Sequence, residues 1–498
     1  MRIFSKLIDL EKHLSYLNDS LPYFAKFDPK RAANVSWLNS KKSATFLYEP
    51  VFIKLFHCEG IIKQIGGSSG DPVKVSNLNR IETIKLLTSS DSLRLDESLT
   101  HKVLAEMADL LLLSGRKYKT VSPSEAFDSL PQNTSSSFPS FRRPKSLVKS
   151  DICSLVHKLI RTPKLKVFHN FPISVNWRTQ VSSSIKLKYR QFYPFPALVA
   201  VLEKMIFNGI FSHFEKNQMT PYCMSNTFEH LSKRYVKWQT KRHIYSIDFK
   251  SFDQKIENIL LSTLLKFLSS KISLRVHDID ILDSIISYHC NCLIISSING
   301  ETCMFRKKRG LMSGSALTNL LGSMVNLFTL LYLNRLYKLD VDKSSISILG
   351  DDIVFASDRK LSINDFALYY KKHFNLEISV EKSNVYSPGE QVYFLGHNFD
   401  QYGRYLNNAK TVVQLCISEN YIPEEILSTN DRIWSKFCSI LFKCSDGEQF
   451  FDHYKPRLMK ILKLEKPIGY YYTLFNSDGD MYKKFEFESY KSNGWRLQ

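Results

Sequence analysis

Ser344-Ser-Ile-Ser-Ile-Leu-Gly-Asp-Asp-Ile-Val-Phe-Ala-Ser357 is the stretch on which the reading of this chain turns. Two β-prone runs, Ile346–Leu349 and Ile353–Ala356, flank Gly350-Asp351-Asp352, a pattern that predicts a tight β-hairpin. Adjacent carboxylates at a hairpin tip repel each other unless a cation sits between them and another acid. Oxygen ligands of this kind suit Mg²⁺ or Mn²⁺. Gly-Asp-Asp alone is a weak signal, most often a solvated turn, so its meaning depends on its neighbours.

Those neighbours lie on both sides. Upstream, Tyr245-Ser-Ile-Asp248-Phe-Lys-Ser-Phe-Asp253-Gln-Lys-Ile reads as a strand running into a helix, with Asp248 at the strand end and Asp253 beyond the turn. Asp248 is a candidate metal ligand. Asp253 is a candidate to face the sugar of an incoming nucleotide, a role compatible with capping the following helix. Arg309-Gly-Leu-Met-Ser313-Gly314-Ser-Ala-Leu-Thr318 leads as a loop into a long helix whose buried face is Leu317, Leu320, Leu321, Met324 and Phe328. Thr318, Gly322 and Asn326 recur every four residues and form a second, small and polar stripe. Such a stripe is either a groove for another backbone or a nucleotide-facing surface, and Ser313-Gly314 at its start suits cradling a template or sugar.

Further upstream, Lys186, Lys188 and Arg190 alternate with Leu187 and Tyr189, so on a strand the three cations share one face. A stripe that grips phosphate and a charged edge that prevents aggregation are equally good readings of that segment alone. Gly66–Pro72 reads as a plain loop, because it lacks the Gly-Lys-Ser/Thr ending of a phosphate-binding loop. Pro131–Ser150, rich in Ser, Pro and base, reads as a surface linker. Downstream, Ile363–Phe374 reads as a helix, Lys382 follows in Leu376–Asn384, and Val392–Phe399 reads as one β-prone run with a glycine kink.

The net charge of +20 (68 Lys+Arg against 48 Asp+Glu) favours a polyanionic partner, nucleic acid before membrane. Met1–Lys12 interrupts its apolar residues with charge and is no secretory signal. The longest mainly apolar stretch is read as Leu320–Leu333, shorter than a bilayer span, so no membrane partner is expected. The nine scattered cysteines read as reduced thiols, and Cys290-Asn-Cys292 beside His289 lacks zinc-site spacing.

Taken in order, the segments over roughly 178–400 resemble the right-hand RNA-dependent RNA polymerases of RNA viruses. Lys186, Lys188 and Arg190 match the family's basic fingers motif, and Asp248 and Asp253 its first palm motif. Ser313, Gly314 and Thr318 match the loop-helix motif, Gly350-Asp351-Asp352 the catalytic hairpin, and Lys382 the lysine of the fourth palm motif. Phe394-Leu-Gly396 resembles the motif at the palm–thumb junction. Asp248-Phe-Lys-Ser-Phe-Asp-Gln, together with Ser313-Gly-Ser-Ala-Leu-Thr followed by Gly322-Ser and Asn326, is most similar to partitiviruses, with picobirnaviruses as neighbours. Where many positive-strand virus polymerases carry an asparagine, this chain has Gly322, and Asn326 is the candidate to contact the nucleotide in its place.

The resemblance implies an α+β right-hand fold: an N-terminal extension and fingers over 1–240, a palm with an antiparallel sheet over 241–404 with a fingers insertion near 255–310, and a helical thumb over 405–498. It implies template-directed nucleotidyl transfer with two Mg²⁺ ions, Mn²⁺ being an alternative. Asp248, Asp351 and Asp352 would be the metal ligands and Lys382 the general acid. Lys186, Lys188, Arg190, Asp253, Ser313, Gly314, Thr318 and Asn326 would bind the nucleotide. The implied partners are template and product RNA, ribonucleoside triphosphates and a viral capsid protein, in the virion interior and host cytoplasm. The alternatives are a reverse transcriptase, which shares the palm, and a non-catalytic RNA-binding virion protein, which the charge suits equally well.

Overall fold

The computed structural model describes residues 47–57, 77–89, 93–132, 134–138, 141–161, 171–181, 187–218, 220–224, 228–298, 301–401, 403–405, 408–418, 428–438, 447–464, 470–472 and 483–485. Gly66–Pro72 and Lys186 lie outside the described residues. The rest fall into two compact units, one within 76–176 and 191–395, the other within 41–75, 177–190 and 396–498.

The first unit is built on a four-stranded antiparallel sheet of β1 (His243–Ile247), β2 (Val341–Leu349), β3 (Asp352–Ser357) and β4 (Asn384–Tyr386), in the spatial order β2-β3-β1-β4. The expected hairpin is the β2–β3 pair, closed with Leu349 opposite Asp352 so that only Gly350 and Asp351 lie in the turn. Gly350 takes φ +64°, the left-handed backbone that a two-residue turn with glycine first requires. Ile353–Ser357 of β3 are all buried, as the central strand of a covered sheet should be.

Four helices bear on the site: α1 (Ala197–Lys216), α2 (Val276–Asn291), α3 (Thr318–Tyr337) and α4 (Ile363–Phe374). The range expected for α4 matches; Ser362 caps its first turn by accepting from Asn364 N, and Asn375 closes it at φ +55°. Phe366 of α4 packs on Tyr245 and Phe355, one face of the sheet, and Phe374 meets Phe328 and Tyr332 of α3. Strand alternation sends Ser246, Ser347 and Val354 to the opposite face, where Ser347 Oγ accepts from Trp238 Nε1 at 3.0 Å.

Three expectations change. Pro131–Ser150 is not a linker: Ser135–Ser137 pairs with Phe141–Pro144, and Phe138 and Val148 are buried, so its few apolar residues suffice to fold it. The run Val392–Phe399 is not one kinked strand but two, Val392–Phe394 and His397–Asp400, broken by Leu395 and Gly396 at φ +51° and +76°. Finally, the 20-residue helix α1 is long and apolar enough to cross a membrane by composition, unlike Leu320–Leu333, but most of it is buried inside the protein as core.

In the second unit, Leu47–Tyr48 pairs antiparallel with Ile417–Ser418. Pro50–Phe56 adds Phe52 and Leu55 to an apolar core with Trp434, Phe437, Phe451 and Leu458 from the C-terminal helices. Buried Glu49 pairs with Arg432 at this junction. Lys188 and Arg190 lie on the strand Leu187–Phe192, which pairs with Asn176–Val181, as their alternation predicts.

Candidate active site

Three acidic residues lie at one end of the four-stranded sheet. Ile353 pairs with Ile247 as the last pair of β3 and β1, so Asp352 and Asp248 are the next residues of the two segments at that end of the sheet. Asp351 is exposed at the hairpin tip next to them, and Asp248 and Asp352 are half-buried. Tyr393 lies near both of the last two: burial first, then the charges of Asp352 and Asp248, raise its phenol above the usual range.

The turn bearing Lys382 is joined to the same place by backbone. Asp248 O accepts from Ser379 N at 2.7 Å, and Asp248 N donates to Ser383 Oγ at 3.0 Å. Lys382 N closes the turn on Ser379 O, leaving the side chain exposed. Asp248, Asp351, Asp352 and Lys382, dispersed over more than a hundred positions in the sequence, thus share one end of the sheet.

Asp253 lies in the short helix Phe252–Lys255, whose preceding residue, Ser251, holds a left-handed φ of +53°. The following helix, Asn258–Ser269, is preceded by Glu257, so Asp253 is not its cap. Asp253 O accepts from Leu311 N at 2.6 Å and Ile256 O from Gly310 N at 2.7 Å, and buried Arg309 pairs with buried Glu257 at 3.2 Å. On the far side, Lys255 and Lys371 bond Glu377 and hold its carboxyl down to about 2.

Ser313 and Gly314 are exposed and lie against the chain that follows the basic strand: Ser313 Oγ accepts from Tyr193 N at 3.3 Å. Burial, and then the charge of Asp253, raise the Tyr193 phenol, which donates to Gln191 Oε1 at 2.7 Å. Ser313 and Gly314 thus lie against the Tyr193 backbone, and the charge of Asp253 is felt at its phenol. Thr318 is half-buried and its hydroxyl bonds Met312 O and Ser315 O, so its proton shapes the loop.

Asn326 is not where a nucleotide contact would need it. It is 0% exposed, and its amide donates to Gly350 O and Asp351 O at 3.2 and 3.3 Å. One turn earlier, Ser323 Oγ accepts from Gly350 N at 2.8 Å. A Cβ at Gly322 would stand 3.5 Å from Gly350 Cα, so the small stripe is a groove in which the hairpin tip rests. Asn326→Ala leaves two hairpin carbonyls without their donor, a cost of about 1–3 kcal/mol. We expect turnover per folded molecule to fall roughly ten- to a hundredfold at about 1.4 kcal/mol per decade. Incorporation rates beside a thermal melt measure this, and an unchanged rate would deny the hairpin support.

Sequence reasoning quoted Ser323 only as part of Gly322-Ser and gave it no partner, and it gave no role to Tyr393 or Gln191, which carry no local signal.

The donor set suits a hard divalent cation. Among the described residues no group of three or more His, Cys, Asp or Glu could hold a metal ion. Mg²⁺ is ordinarily held by one or two carboxylates plus substrate phosphates, and Asp248, Asp351 and Asp352 offer carboxylates at one end of the sheet.

A family model described as viral RNA-dependent RNA polymerase matches residues 87–463. An RNA-directed RNA polymerase of Cryptosporidium parvum virus 1 is 25% identical over 289 residues, 54% of this chain and 52% of that one, so the match spans about half that relative's length. Among solved structures, the insertion-loop deletion mutant of a human picobirnavirus RNA-dependent RNA polymerase superposes with a TM-score of 0.63 at 16% identity, covering 92% of this chain and 87% of that one. The Sicinivirus 3Dpol RNA-dependent RNA polymerase gives 0.62 at 14% identity, covering 84% and 92%.

Proposed function

The chain belongs to the viral RNA-dependent RNA polymerases and has their right-hand α+β fold, and on that premise we propose that it copies an RNA template from ribonucleoside triphosphates. The observation that carries this reading is the convergence of Asp248, Asp351, Asp352 and the Lys382 turn at one end of the palm sheet. Its task is replication and transcription of a viral genome, double-stranded and segmented, in the virion interior and host cytoplasm, with a capsid protein as partner. The N-terminal extension and fingers are 1–240, the palm is 241–404 with a fingers insertion at about 255–310, and the thumb is 405–498; Leu47–Phe56, expected with the fingers, instead packs on the C-terminal helices.

In this reading Asp248, Asp351 and Asp352 would hold two Mg²⁺ ions, or Mn²⁺. Such ions, when bound, supply activation of the 3′-hydroxyl and neutralisation of the triphosphate. The chain's own residues do the rest. Lys382, exposed on a turn fixed to Asp248, gives a proton to the pyrophosphate oxygen as it leaves. Ser313, Gly314 and Thr318 shape the surface against which sugar or template rests. Lys186, Lys188 and Arg190 neutralise phosphate charge.

Asp253 sets the choice of sugar, since its carboxylate can accept a hydrogen bond from the ribose 2′-hydroxyl. Purified protein should therefore prefer ribonucleotides to deoxyribonucleotides. Asp253→Ala should narrow that preference by about ten- to a hundredfold, the weight of one hydrogen bond to a charged group. Competing the two nucleotide types on one template measures it, and equal use of both by the wild type would return the reverse-transcriptase reading.

A further inference from the structure

Glu203 is a carboxylate with 0% exposure on the apolar helix α1, and none of the chemistry above uses it. Burying a carboxylate is costly unless its oxygens are satisfied. Here Ser315 Oγ and His289 Nε2 donate to Oε1 at 2.8 and 2.7 Å, and Ala316 N donates to Oε2 at 2.8 Å. Two of these three donors belong to the loop that carries Ser313 and Gly314.

The loop needs an outside anchor. It leads into α3, whose N-cap is Leu317, a side chain with nothing to offer the first N–H groups of a helix. Ser315 Oγ accepts from Leu317 N at 2.9 Å and Glu203 Oε2 from Ala316 N, so the two residues just before the helix are held by the loop's own serine and by a carboxylate from another helix. His289 of α2 completes a circuit. Its ring lies 5.9 Å from that of Phe195, and the Tyr193–Phe195 backbone lies against Gly314 on the loop's outer side. The loop is thus held between a buried carboxylate and the chain following the basic strand.

We propose that Glu203, oriented by His289, is a positioning residue that sets the height of the Ser313–Ala316 loop and hence the fit of the incoming nucleotide. This inference rests on the polymerase reading. The metal-binding acids sit on other elements, so disturbing the clamp weakens nucleotide binding more than the chemical step. Glu203→Gln puts an NH₂ donor where only acceptors fit; Ser315→Ala removes one loop donor and leaves the carboxylate in place.

The test is steady-state incorporation with wild type, Glu203→Gln, Ser315→Ala and the double variant, beside thermal melts. KM for ribonucleotides should rise at least about tenfold in Glu203→Gln, the weight of one charge-assisted hydrogen bond, with kcat changed much less. Ser315→Ala should shift KM the same way, and the double variant should be no worse than Glu203→Gln, because both break one clamp. Lower melting temperature with unmoved kinetic constants would make Glu203 merely structural and overturn the inference. If Glu203→Gln does not fold, Ser315→Ala decides alone, and an unmoved KM there overturns it. An active wild type with unaffected variants refutes this inference only, whereas an inactive wild type refutes the polymerase reading beneath it as well.

Discussion

Asp351→Ala is expected to lower template-directed ribonucleotide incorporation by at least about a thousandfold, since metal-centred charge stabilisation is worth several kcal/mol at about 1.4 kcal/mol per decade. The side chain is exposed at the hairpin tip, and the hairpin's own support comes from backbone: Ser323 on Gly350 N, and Asn326 on Gly350 O and Asp351 O. Removing the carboxylate therefore leaves the fold intact and takes away one proposed metal ligand. A melt within a degree or two of the wild type, with single-turnover incorporation near background, is the expected pair of results. Substantial activity in the variant would remove the metal from the hairpin.

Gly314→Ala is the second large effect, and it arises from space rather than charge. A Cβ at Gly314 would overlap the Tyr193 carbonyl oxygen and stand 2.9 Å from Phe195 N. Both are backbone, which cannot swing aside, so the loop itself must move. A displacement near 1 Å at the proposed nucleotide-positioning loop costs on the order of a hundredfold in kcat/KM, carried mainly by KM, and we expect at least that from Gly314→Ala in single-turnover incorporation at subsaturating nucleotide. Gly322→Ala supplies the comparison: its added methyl meets Gly350 Cα at 3.5 Å, ordinary contact, so its rate should stay within a few-fold of wild type. Similar rates for the two variants in the same single-turnover assay would contradict the described packing.

The hairpin was legible in the sequence because its signals are local. Two β-prone runs and the Gly350-Asp351-Asp352 tip between them are all written within Ile346–Ala356; they place both acids at the tip without reference to any other segment, and the structure moves only Asp352 onto the strand. The helix α4 was legible for the same reason. Asn326 shows where such reading stops. A four-residue period identifies one face of a helix but not what packs against it, and here the groove is filled by Gly350. The Glu203–His289 pair joins residues 86 positions apart on separate helices, and nothing local marks their meeting. Pro131–Ser150 misled through composition: Ser137 Oγ donates to Pro194 O, so a serine taken as solvated loop is part of the packed structure.

The most direct test of the central claim is incorporation of labelled ribonucleotides by the purified wild-type chain on a single-stranded RNA template, with and without Mg²⁺. The account predicts product complementary to the template that requires the cation and rises with its concentration to saturation. Salt-sensitive RNA binding with no product at any Mg²⁺ or Mn²⁺ concentration would contradict it, and would leave a +20 chain that binds RNA without copying it.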